Sequence, residues 1–246
     1  MSTQNSIQRF IGLFTSGGGD HNKYRYGRKH GHWIEFLDDG GLPKAGGLPI
    51  AKADLIKFFE STLKGFWTSS LLSREGTYVD GKKHGHWVVR FSDGTVKEGP
   101  YVNDTQTGHW VFRFTDGEVH EGPLADGEKH GHWVLRFADG DVHEGPFVGD
   151  EMDGHWVLRG ADGTVQEGPF VGDKRDGHWV ERFANGDVYE GPYVDDKEDG
   201  QWVVRFSDGT VKEGPFVAGK EDGQWVMRHP DGTVENLTYR NGELIQ

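Results

Sequence analysis

Seven tryptophans, Trp87, Trp110, Trp133, Trp156, Trp179, Trp202 and Trp225, stand at a fixed interval of 23 residues with no insertion between them. A period this strict marks a tandem array, in which each unit buries its apolar side against its neighbours. Around each Trp the frame reads Gly-(His/Gln)-Trp-Val-x-Arg-(Phe)-x-Asp-Gly-x-Val-x-Glu-Gly-Pro-(Phe/Tyr)-Val, and the copy from Gly131 to Val148 shows it whole. Two short runs rich in Val and aromatics flank an Asp-Gly step, the strongest hairpin signal a sequence offers. Each repeat is therefore one β-hairpin. With the earlier copy that begins Gly31-His32-Trp33-Ile34, the array has eight.

A three-residue loop, x-Asp-Gly with the glycine left-handed, places Trp87 opposite Gly99 and Phe91 opposite Thr95. In that register Arg90 and Glu98 share a face, close enough diagonally to pair. Period two then sends Trp87, Val89, Phe91 and Tyr101 to a core face, and His86, Val88, Arg90, Val96 and Glu98 to the other. Gly99 leaves room for the ring of Trp87 opposite it to lie on bare backbone, as Gly145 does for Trp133. Pro100, which has no N–H, predicts a bend or a loss of pairing in the return strand. The expected fold is all-β, an extended, twisted antiparallel meander of tandem hairpins roughly 75 Å long before twist. A single sheet covers only one of its faces, so the row Val88, Val111, Val134, Val157, Val180 and Val203 is expected to be partly exposed.

The array spans 22–246, after an N-terminal segment 1–21, and is interrupted at 41–74. The return strand of the first hairpin, Glu75-Gly76-Thr77-Tyr78-Val79, arrives 31 residues late. Within the interruption Leu55, Phe59, Leu63 and Phe66 recur at helical spacing and predict one inserted amphipathic helix over 50–65, either a cap on the sheet or a partner element. At the other end Glu-Gly-Pro becomes Asn236-Leu237-Thr238, which makes Val234 to Arg240 a more continuous strand than its predecessors. A terminal strand leaves backbone groups open to pairing. Leu237 and Tyr239, with the four apolar residues of the helix, are therefore the candidate partner-binding residues, for another protein or a second copy of the chain.

The run Asp80-Gly81-Lys82-Lys83-His84-Gly85-His86-Trp87, followed by Asp93-Gly94 and Glu98-Gly99, resembles the MORN repeat family, most closely its bacterial variant form with Gly-x-Trp repeats. The resemblance covers roughly 22–40 and 75–242. It implies a meander of hairpins and functions centred on protein interaction and assembly. In the more typical unit a Tyr precedes x-Gly-x-Trp on the return strand. Here that Tyr position holds Lys97, His120, His143, Gln166, Tyr189 and Lys212, and the Trp position holds Tyr101, Leu124, Phe147, Phe170, Tyr193 and Phe216, which weakens any transfer of lipid binding.

Composition narrows the function classes. A formal net charge of -13 argues against nucleic acid and anionic membranes, since phosphate binding needs clustered Lys and Arg. With no Cys, disulfides and thiolate metal sites are excluded. The apolar run at 10–14 is too short for a signal or a span, so cytoplasm is the expected location. His86, His109, His132, His155 and His178 repeat about 10 Å apart, too far to share one zinc, and the place is Gln201 and Gln224 in the last copies. Only the adjacent pairs His30 with His32 and His84 with His86 could approach one ion, and no metal or cofactor is expected. Every Asp-Gly has a turn to explain it and every Glu-Gly-Pro an Arg. Gly160 in place of the core Phe and Glu181 at an apolar position are the two internal departures. The expected function is a non-catalytic scaffold for protein interaction or self-assembly. The alternatives are a carbohydrate-binding aromatic array and an antitoxin-like neutralising partner, and burial of the rings is the observation that discriminates scaffold from glycan binder.

Overall fold

The computed structural model describes residues 23–25, 27–36 and 71–246. The 50–65 helix, with Leu55, Phe59, Leu63 and Phe66, lies outside the described residues, as does the segment 1–21. All regular structure among the described residues is β-strand. They fall into two compact units, one reaching to Val119 and including Leu124–Gly127, the other made of His120–Pro123 and Glu128–Gln246.

In the second unit Gly131–Arg136 runs antiparallel to Val142–Val148, with Trp133 opposite Gly145 and Arg136 opposite Val142. At the tip the Phe137 N–H donates to the Asp141 carbonyl at 2.9 Å and the Gly140 N–H to the Phe137 carbonyl at 3.1 Å. Gly140 has φ +99, where a Cβ would be strained, and the Asp139 carboxylate accepts the Asp141 N–H at 3.2 Å. This is the expected x-Asp-Gly loop. The first unit shows it too, with Trp87 opposite Gly99 and the Phe91 N–H on the Thr95 carbonyl. In the first hairpin Trp33 pairs with Gly76 as expected, but the return strand starts at Leu71, inside the interval assigned to the insertion.

The junction between hairpins explains the Gly-Pro of the frame. Val142, His143 and Glu144 pair with Arg159, Leu158 and Val157 of the next hairpin, and Phe147 and Val148 pair with Met152 and Glu151. Between these stretches the return strand spends Gly145 and Pro146 while its neighbour spends Asp153 to Trp156, so the neighbour bulges. Pro146 has no N–H to hold the ladder. Its carbonyl instead accepts the Asp153 N–H at 3.1 Å and the Trp156 indole N–H at 2.9 Å, and Gly154 at φ +101 makes the excursion. The bulge lowers Trp156 onto Gly145, where a Cβ would lie 2.3 Å from ring atom Cδ2. The glycine thus seats the Trp of the following hairpin, not the Trp133 it faces in register. Gly76 and Gly99 seat Trp87 and Trp110 in the same way in the first unit.

The seated rings form a column on one face of each unit. Phe147 meets Trp156 edge-on at 5.1 Å and 89°, Phe170 meets Trp179 at 5.1 Å and 87°, and Tyr193 meets Trp202 at 5.2 Å and 86°. Each such pair adds about 0.5–1.5 kcal/mol beyond its buried area. On the opposite face Arg182 pairs with Glu167 of the preceding hairpin at 2.6 Å, and Arg136 with Glu121 and Arg159 with Glu144 repeat the arrangement. The diagonal pair expected inside a hairpin is replaced by one between hairpins, because strand twist brings the Arg over its other neighbour: Glu98 pairs with Arg113, and Arg90 reaches Glu75 at 4.0 Å. These Arg side chains are half exposed, so each pair contributes at most about 1 kcal/mol.

Candidate functional site

The ring column is consumed by the fold. Trp87, Trp110, Trp133, Trp156, Trp179 and Trp225 are all 0% exposed, so their faces are not offered to a ligand. Cations four residues before the Trp lie over the rings: Lys83 over Trp87 and Tyr101, Lys129 over Trp133 and Phe147, and Arg175 over Trp179 and Tyr193. At 4.0 Å from the Tyr193 ring, the Arg175 guanidinium is well placed to be attracted to its π face.

Two copies add a buried carboxylate to this arrangement. Glu35 accepts hydrogen bonds from Lys29 and Arg74, and from the Tyr78 hydroxyl at 3.1 Å. Glu181, at the equivalent position of a later repeat, accepts from the Tyr193 hydroxyl at 2.9 Å and from Arg175 at 3.4 Å. Both carboxylates are buried. Burial pushes the Glu35 carboxyl up, but the hydrogen bonds and charges of Lys29 and Arg74 outweigh it and hold the group below its ordinary value. Burial, and then the charge of the neighbouring carboxylate, raise the Tyr78 and Tyr193 hydroxyls, which stay neutral donors. Because Glu35 is depressed in the folded chain, its stabilisation is complete above the ordinary value of 4.5 and is lost as pH falls through the folded value. Glu35→Gln should therefore flatten the acid dependence of the first unit's urea midpoint as pH falls below about 4.5; an unaltered slope would show that the cluster is not the acid-labile element.

The opposite face is accessible. Period two places Val102, Val148, Val171, Val194 and Val217 there, each at the end of a return strand, and they are 45–58% exposed. Within the second unit the row repeats at about 10 Å, two strand spacings. Cross-strand from it stand Glu151, Lys174 and Lys197, and Lys174 pairs with Asp195 at 2.8 Å. The Val88, Val111, Val134, Val157, Val180 and Val203 row is half-buried, as expected. His132, His155 and His178 are exposed on the same face. Among the described residues no three His, Asp or Glu side chains converge on a metal position, and no helix is long and apolar enough to cross a membrane.

Of the candidate partner-binding residues, Leu237 and Tyr239 lie on the last return strand, Val234–Arg240. Leu237 faces Trp225 in register, at the place that holds the seating glycine elsewhere. Tyr239 meets Trp225 edge-on at 6.1 Å, and its hydroxyl accepts from Lys212 at 3.2 Å. Both are half-buried. The sequence reading missed the exposed Val row at the ends of the return strands. Its signal was available, since these valines alternate with the buried Phe or Tyr that precedes each.

No family model matches the chain, and no curated protein matches it. Among solved structures, the chain is similar to the TCP domain of SAS-4 (dCPAP) from Drosophila melanogaster in complex with a proline-rich motif of Ana2 (dSTIL), at 16% identity over 80% of this chain and 99% of that one, with a TM-score of 0.42. It is also similar to the G-box domain of the microcephaly protein CPAP, at 19% identity over 72% and 96% and a TM-score of 0.42. For the TCP10 domain of Danio rerio CPAP with a STIL peptide the values are 21%, 71%, 87% and 0.36.

Proposed function

We propose that the chain is a non-catalytic scaffold that binds another protein through the face of its second unit opposite the Trp column. The observation that carries this reading is the Val row. Four valines of the second unit, Val148, Val171, Val194 and Val217, stand open to solvent at one frame position, whereas every described Trp of the array is packed away. Exposed apolar side chains scattered singly mean little, but a regular row of them, bordered by charge, has the composition of a docking surface. Stacking on sugar rings requires an aromatic face in solvent, so burial of the Trp row removes the support for a glycan-binding array. The MORN resemblance, with its implication of assembly and protein interaction, points the same way.

The test is capture from extract of the source cells with the full chain as bait, beside a Val171→Lys/Val194→Lys variant whose near-ultraviolet circular dichroism matches the parent. A partner held by this face should be recovered on the order of 10-fold less by the variant, since losing a central apolar contact costs more than 1 kcal/mol. Equal recovery by both baits would exclude this face, and no specific capture by either would count against the scaffold itself.

A further inference from the structure

The strand Val234–Arg240 differs from every earlier return strand of the second unit at the residues that receive the next hairpin. Four features make up an interior docking seat. A glycine admits the incoming Trp, as Gly214 admits Trp225 with Cβ space of only 2.3 Å. A proline without an N–H forces the incoming strand to bulge, as Pro215 does beside Asp222–Gln224. Its carbonyl accepts the incoming indole, Trp225 to Pro215 at 3.1 Å. The preceding glutamate pairs with the incoming arginine, as Glu213 pairs with Arg228 at 2.5 Å.

Three of the four are altered together at the end of the array. Asn236 replaces the glutamate and removes the charge that an incoming Arg would meet. Leu237 replaces the glycine, so a side chain occupies ground where a Cβ alone would overlap a seated ring. Thr238 replaces the proline and regains an N–H, which donates to the Gln246 carbonyl at 2.7 Å, while the Thr238 carbonyl is unaltered and accepts the Ile245 N–H at 2.8 Å as the Pro215 carbonyl accepts the Asp222 N–H at 3.1 Å. The segment after the turn at Asn241-Gly242 thus stays in the ladder, where interior strands must bulge. Trp225 is nevertheless 0% exposed, with Leu237 as its cross-strand neighbour on the side a further Trp would cover.

We propose that Asn236-Leu237-Thr238 is a built stop, which closes the C-terminal edge of the array to a further hairpin of its own kind, whether from the same chain or from a second copy. This assigns Leu237 and Tyr239 to closure of the column in place of strand addition. It stands independently of what docks on the valine face. The N–H and C=O of Val234 and Asn236, which face away from the hairpin by ladder alternation, are left for a strand that carries no Trp at the seating position.

The period supplies the test, because residues 224–246 are one repeat long and can be duplicated in frame after Gln246 of the full chain. Both proteins carry Gln246→Gly, because Gln246 takes the frame place of the positive-φ Gly223; the duplicate is added once behind the native triplet and once behind Asn236→Glu/Leu237→Gly/Thr238→Pro, and hydrogen exchange of its peptides is compared with that of 200–223. Behind the restored Glu-Gly-Pro the added repeat should be protected like its interior counterparts. Behind the native triplet it should exchange about 100-fold faster, as an undocked segment does. Protection in both proteins, or in neither, overturns the proposal. Should the triple variant fail to fold, Leu237→Gly alone replaces it, and protection of the repeat behind the native triplet remains sufficient to overturn the stop.

Discussion

Gly145→Val should be among the most damaging single substitutions in the second unit. A Cβ at residue 145 would stand 2.3 Å from Cδ2 and 2.4 Å from Cγ of Trp156, a ring with no exposed surface into which it could swing. Overpacking of a well-filled core costs about 1–3 kcal/mol, and a branched side chain against a fixed ring belongs at the top of that range or above it. For a chain of this size that corresponds to a fall in melting temperature of about 10 °C. Asp139→Asn, which keeps a turn former where Asn185 already serves in another copy, should cost a few tenths of a kcal/mol. A second-site experiment fixes the partner. Trp156→Ala should absorb most of the effect of Gly145→Val, whereas Trp133→Ala should add to it, since only residues in contact couple strongly. Coupling to Trp133 instead would mean that the glycine serves its own hairpin after all.

That distinction marks where the sequence was readable and where it was not. The period, the Asp-Gly loop and the register within a hairpin follow from residues near one another in the chain, and they appear as expected. The frame positions of Gly145 and Glu144, read at Gly99 and Glu98, were also recognised as a seat and as half of an ion pair. Their partners, Trp156 and Arg159, belong to the next hairpin, because Pro146 makes the neighbouring strand bulge and twist brings the Arg across. Nothing in one repeat states how far a neighbour shifts. The same holds for Glu181. By itself it is an acid in an apolar row, but Glu35 and Glu181 share one frame position, each with a cation six residues earlier and a Tyr at the ring position, Lys29 with Tyr78 and Arg175 with Tyr193. Comparison between repeats would have shown the cluster that inspection of either one did not.

The cluster around Glu181 supplies the second large effect. Arg175→Met should destabilise the second unit by about 2–3 kcal/mol, because it leaves a buried carboxylate with the Tyr193 hydroxyl as its remaining donor. The full penalty for breaking a buried pair is about 3–5 kcal/mol, and the lower figure is expected here since the Arg175 side chain retains 28% exposure, which admits water once it is gone. Glu181→Leu added to Arg175→Met should recover most of the loss, as Leu135 and Val204 already fill this position in other copies and an apolar replacement for a buried pair is often neutral. Glu181→Leu alone should cost less than Arg175→Met alone, because it leaves behind a partly exposed cation and a hydroxyl with Glu198 still 3.5 Å away. Urea midpoints for the four proteins check the order. If the double variant is as unstable as Arg175→Met, the arginine acts through its packing over Tyr193 and Trp179 and not through the carboxylate; if all four midpoints coincide, the charge is neither buried enough nor paired tightly enough to matter, and Glu181 is an acid the repeat merely tolerates.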